Sequence, residues 1–253
     1  MTDTTGPGLR EFSGTGKLLR TITLSGFTEL ASIVWLGAAA GSGAGDQFAL
    51  AEETVTTGGV ARGDVVVVKI PDSGSVTITK GSGANWVQTV NPQWSAVSSG
   101  LGLEALGYHA GSNAFYAATE KAEVDGDWKI YTFANTSGNQ SVTAIADLSG
   151  LLSGVATDVS DLKVITSGSQ LHFLLLSHEG STGSTGPGKL INCGYNLIEG
   201  GSSSTFQIYS TLTLPAFLVQ AEGADVTPTG KTVFITGQKG ASNGADLLIL
   251  QAP

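Results

Sequence analysis

The chain of 253 residues is 41% hydrophobic and only 13% charged, and it contains 36 glycines. Such a composition supports a packed core made of many short strands and tight turns, and it suits long helices poorly. A formal charge of −9 offers no basic stripe to a nucleic-acid backbone and disfavours anionic membranes.

The opening residues, MTDTTGPG, lack the basic and apolar parts of a secretory leader, and no apolar run is long enough to span a bilayer. A soluble chain is therefore expected. Next comes a hairpin, LREFSGTGKLLRTITL, over residues 9–24. A strand–turn–strand unit follows, ELASIVWLGAAAGSGAGDQFALAEET, continued by DVVVVKI and SVTITK. The stretch VQTVNPQ, flanked by Trp86 and Trp94, reads as an insertion. The same unit recurs as GLEALGYHAGSNAFYAATEK, with WKIYTF and SVTAIADL behind it. It recurs again as DVSDLKVITSGSQLHFLLLSHEG, followed by KLINCGYN and TFQIYSTL. The last copy, AEGADVTPTGKTVFITGQKG, is followed by ADLLILQ alone. Alternating apolar residues rich in Val, Ile, Thr and aromatics mark these runs as strands, and the Gly, Ser, Asn and Asp between them mark turns.

Four antiparallel strands per repeat make the blade of a β-propeller. The expectation is an all-β chain, one domain over 1–253, with blades near 26–80, 101–148, 155–214 and 219–253 plus the hairpin at 9–24. The hairpin either completes the last blade or belongs to a fifth, so the propeller has four to five four-stranded blades. Because the last repeat lacks an outer strand, KLLRTITL is expected to pair with the sheet of ADLLILQ and close the ring.

The ordered set GKLLRTITLSGFTEL, GLEALGYHAGSNAFYAATEK, DVSDL…LLLSHEG and QAEGADVTPTGKTVFITG resembles the SdiA-regulated family of bacterial β-propellers, which is related to NHL-repeat propellers. The resemblance implies a five-bladed propeller with a bound calcium ion and no established enzymatic activity. It also implies two more strands ahead of Leu9, and acidic residues where this chain has Ala31 and Gln238.

Recurring carboxylates are the candidate ligands. Glu104 and Glu222 open the first strands of their repeats, with Asp158 and Ser160 in the equivalent stretch, while Glu53, Glu120 and Glu179 are read as ending second strands. Equivalent positions of different blades can converge, and calcium takes six to eight oxygens; the plainer reading is a set of solvated rim residues. Ser177-His178-Glu179 reads as the polar end of an inner strand, with His178 structural because no nucleophile elbow stands by to use a base. The solitary Cys193 excludes an intramolecular disulfide and a Cys metal site, and it reads as a buried apolar residue. TGKT at 229–232 lacks the first glycine of a phosphate loop, since Asp225 stands there. Trp35 and Trp128 lie within strands and are expected in the core, leaving Trp86 and Trp94 as candidate binding-surface residues.

Two functions compete. One is a non-enzymatic binding or structural propeller presenting loops to a protein or glycan partner, calcium-stabilised, in a setting such as a virion or filament. The other is a metal-dependent hydrolase of the lactonase or phytase-like propeller type. Fold alone does not choose between them.

Overall fold

The computed structural model describes residues 8–13, 15, 17–39, 45–57, 60–93, 102–119, 128–167, 170–178, 187–197, 204–216, 218, 221–227, 230–237 and 247–251. Five small sheets of three to five strands make the blades of a five-bladed β-propeller. The chain divides into two compact units, residues 1–103 with 133–142, and residues 104–132 with 143–253.

In the first unit, β1 (Gly8–Phe12), β2 (Leu18–Ser25) and β6 (Val76–Thr79) form one sheet in the order β1-β2-β6. A second sheet has the order β11-β7-β5-β4-β3, from β3 (Leu30–Ala38), β4 (Asp46–Thr57), β5 (Val60–Ile70), β7 (Trp86–Pro92) and β11 (Gly138–Gln140). The hairpin at 9–24 is thus the kernel of a blade of its own. SVTITK, expected as the outer strand of the 26–80 blade, instead runs parallel to β2, with Ile22 opposite Val76 and Ser25 opposite Thr79. Its place beside β5 is taken by β7, the stretch read as an insertion, which pairs Val65 with Val90. The β3-β4-β5 meander supplies the long crossover that a parallel β2-β6 pair requires.

The expected pairing of KLLRTITL with ADLLILQ is not made. β2 has β1 on one edge and β6 on the other, so it has no edge left to offer. Trp35 also departs from expectation. It is 52% exposed, on the same side of β3 as Ile33.

In the second unit, β8 (Leu103–His109), β9 (Ala114–Thr119), β10 (Lys129–Ala134) and β12 (Thr143–Asp147) form a four-stranded sheet. A second consists of β13 (Asp161–Ser167), β14 (Gln170–Ser177), β15 (Lys189–Leu197) and β16 (Ser204–Thr213), paired in chain order. The third holds β17 (Ala221–Val226), β18 (Thr232–Gly237) and β19 (Leu247–Gln251). A single helical turn, α1 (Leu148–Leu151), follows β12, capped by the Asp147 carboxylate accepting from Ser149 N. Among the described residues no helix is long and apolar enough to cross a membrane.

Among the described residues, two of the apolar layers of this unit meet on β14. Phe173, Leu175, Ile130, Ala105 and Leu162 share one core, where Trp128 lies as expected. Leu174, Leu176, Leu218 and Ile235 share the other. Along β14, successive residues from Phe173 to Leu176 therefore serve opposite faces, which is why that strand reads as an unbroken apolar run. Cys193 sits in the first core with its Sγ 3.5 Å from the Phe173 carbonyl. Burial pushes its thiol up to about 12. Native protein at pH 8 is expected to resist iodoacetamide and to react once unfolded in urea; labelling of the native chain at the rate of a free thiol would contradict this burial.

Candidate functional site

Alternation along β4 places Asp46, Phe48, Leu50 and Glu52 on one face. Directly opposite them on β5 stand Ile70, Val68, Val66 and Asp64. This double row packs against Ile22 and Leu24 of β2 and Ile78 of β6, so the interior of the layer is apolar and each end is acidic.

The two ends are finished differently. At one, Glu52 is fully buried, at 0% exposure. Its Oε1 accepts from Thr28 N at 2.8 Å and from Thr28 Oγ1 at 3.1 Å, and its Oε2 accepts from Lys80 Nζ. Asp64, facing Glu52 across the ladder, is also buried and has a polar interaction of its own. Lys80 lies just past β6 and closes this end with its ammonium.

The other end is open. A cleft of about 400 Å³ is walled by Leu9, Ile22, Ile33, Phe48, Ile70 and Pro71. Polar groups stand around that wall: Arg10, Glu11, Arg20, Asp46 and Asp72. Arg20 faces Glu11 in the β1-β2 register, and its Nε donates to Glu11 Oε2 at 2.6 Å while an Nη donates to the Gly74 carbonyl at 3.1 Å. That guanidinium is pinned and neutralised. Arg10 likewise has a polar interaction of its own. The Asp46 and Asp72 carboxylates, in contrast, have no ion-pair or hydrogen-bond partner among the described residues.

The described residues among those expected from sequence as ligands do not line this cleft. Asp158 is buried in the second unit, where its Oδ1 accepts from Ser177 Oγ at 2.8 Å and from His178 N at 2.9 Å. Ser160 Oγ donates to the Ala221 carbonyl at 2.6 Å, and Asp161 Oδ2 accepts from Ala224 N at 2.8 Å. The 158–161 stretch is thus a latch joining the end of β14 to β17. This explains why an apolar strand ends on Ser177-His178: the pair supplies donors to Asp158. The Ser177 hydroxyl donates its proton to the Asp158 carboxylate.

Glu104 in β8 and Glu222 in β17 are half-buried, each with polar partners. Glu53 does not end its strand, because β4 continues to Thr57; it sits where the register slips between Glu52 and Val55. Glu120, Glu179, Trp94 and Gln238 lie outside the described residues. Trp86 opens β7 half-buried against the core of the first unit, and its indole Nε1 has no hydrogen-bond partner among the described residues. Among the described residues no group of three or more His, Cys, Asp and Glu side chains stands together. Glu52, Asp46 and Asp72 escaped the sequence reading. The signal for Asp46 and Glu52 was an apolar period-two row, D-x-F-x-L-x-E, bounded by carboxylates at both ends, whereas Asp72 carried none.

The sequence profile of the family described as SdiA-regulated matches residues 2–182. No curated protein matches the chain. Among solved structures, Sqt1 from Chaetomium thermophilum is 12% identical, with a TM-score of 0.41, covering 85% of this chain and 44% of its own. Semaphorin 2a from Drosophila is 10% identical, TM-score 0.40, covering 87% and 44%. An oxidoreductase described as a glucose dehydrogenase, from Thermus thermophilus, is 11% identical, TM-score 0.39, covering 98% and 94%. The chain thus spans less than half the length of the first two.

Proposed function

The chain belongs to the SdiA-regulated family, and we propose that within it this protein is a non-enzymatic binding module whose ligand enters the open cleft of the first unit. One observation carries the reading. A single apolar layer is closed by the protein's own Lys80 at the Glu52 end and left open at the Asp46 end. The cleft volume, about 400 Å³, lies in the range of small-ligand sites, and its apolar wall with a few polar groups has the makeup of one. The carboxylates suited to acid–base work support the same reading from another side: Asp158 and Asp161 are committed to hydrogen bonds that join strands.

Titration with the neutral apolar fluorophore N-phenyl-1-naphthylamine tests this. Saturable, single-site binding is expected. Ile33→Glu, at a wall residue that is 49% exposed, should weaken it severalfold while leaving the thermal midpoint in place. Non-saturable uptake, or binding indifferent to Ile33→Glu, would remove the cleft from consideration. Turnover of a lactone or phosphomonoester that vanishes in Glu104→Gln or Glu222→Gln would replace the binding module with a hydrolase.

A further inference from the structure

We propose that the cleft takes a small ligand with an aliphatic body and one primary ammonium group, the ammonium seated between Asp46 and Asp72. This rests on the reading of the cleft as a binding site and adds the chemistry of its occupant. The protein supplies its own template at the opposite end of the layer. There a carboxylate at the end of the β4 row receives an ammonium carried on the aliphatic stem of Lys80. Asp46 occupies the matching place at the open end, six residues away along the same face of β4, and Asp72 joins it from the chain leaving β5. Neither has an ion-pair or hydrogen-bond partner among the described residues.

The other charges of the cleft favour the same ligand. Arg20 is held by Glu11 and Gly74, and Arg10 is also engaged, so an anionic head would find no cation that is not already shared. Phe48, Ile70 and Pro71 offer an apolar wall to a chain of methylenes. An ammonium has three donors, enough for both carboxylates at once. A charge-assisted contact in a partly desolvated cleft outweighs the hydroxyl contact of a matching alcohol.

Calorimetry with n-hexylammonium, n-hexanol and n-hexanoate on the full chain tests the proposal. The amine is expected to bind about tenfold more tightly than the alcohol, and the carboxylate more weakly than either. Asp46→Asn, isosteric and half-buried, should reduce amine binding about tenfold; Asp72→Asn, at an exposed position, about threefold. Alcohol binding should stay unchanged in both, which also shows that the variants keep the cleft. Raising the salt should narrow the gap between amine and alcohol.

If the alcohol binds as well as the amine, or if Asp46→Asn leaves the preference intact, the ammonium claim falls and the binding module stands. If none of the three binds while N-phenyl-1-naphthylamine does, the ammonium claim again falls alone. If no probe binds, the cleft is not a site and both readings fail. A capped Leu-Lys-Leu peptide that binds where n-hexylammonium does not would overturn the small-ligand claim in favour of a protein side chain.

Discussion

Lys80→Met is expected to destabilise the protein by about 3–5 kcal/mol, because it leaves a buried carboxylate without its cation. The substitution keeps most of the aliphatic stem, so packing is nearly preserved and the charge is what is lost. Glu52 is 0% exposed and the Lys80 side chain 20%, so water cannot readily replace the ammonium. The buried Asp64 directly across the ladder makes the loss worse, since two carboxylates then face each other in the same layer. Glu52→Gln should cost less. A neutral amide oxygen still accepts from Thr28 N, and Lys80 can turn its ammonium towards solvent. The double variant, with neither charge, should recover a large part of the Lys80→Met loss, and that recovery measures the coupling directly. Urea unfolding at constant slope reads all three. A cost below about 1 kcal/mol for Lys80→Met would place the pair among ordinary surface contacts, and the closed end of the layer would not be closed by charge.

The local part of this architecture could be read from the residues. LKVITSGSQLHFLLLS gives β13 and β14 almost to the residue, because antiparallel neighbours are adjacent in sequence. Pairings between distant segments could not. SVTITK alternates equally well beside β5 or beside β2, and nothing within its own residues records that β2, some fifty positions earlier, is its parallel partner. β7 was hidden by Asn91 and Pro92, which look like a loop and are in fact the strand's last residues. The site was lost for a sharper reason. Glu52 and Glu53 are neighbours in sequence but point to opposite faces of β4, and only the first reaches Lys80. Trp35 illustrates the same limit, since Ile33 and Trp35 alternate with Ser32 and Val34, and either pair could have been the inner one. Asp46 and Asp72, flanking Gly-rich or Pro-containing turns, carry the residue type that turns use anyway.

Gly45→Ala is expected to cost about 2–5 kcal/mol and to damage the cleft at the same time. The residue has φ of +63°, a left-handed conformation that an L side chain adopts only at a cost of about 1–2 kcal/mol. Its neighbourhood adds a second penalty. A Cβ there would lie 2.0 Å from the Ile70 carbonyl oxygen, and 2.7 Å from both the Ile70 carbonyl carbon and Pro71 Cα. Those are backbone atoms of the last residue of β5 and of the residue just after it, so relief requires the β4-β5 ladder to part where Asp46 faces Ile70. Gly74→Ala separates the two causes. Gly74 also has a positive φ, +82°, but nothing lies within 4 Å of its Cβ, so it should show the conformational cost alone. The difference between the two variants in urea is then the cost of the close approach. Because Asp46, Ile70 and Pro71 all line the cleft, Gly45→Ala should weaken n-hexylammonium and n-hexanol alike, unlike Asp46→Asn, which acts on the amine only. Equal costs for the two glycines, or a Gly45→Ala protein that binds both ligands as the parent does, would show that the ladder yields at this point without disturbing the site.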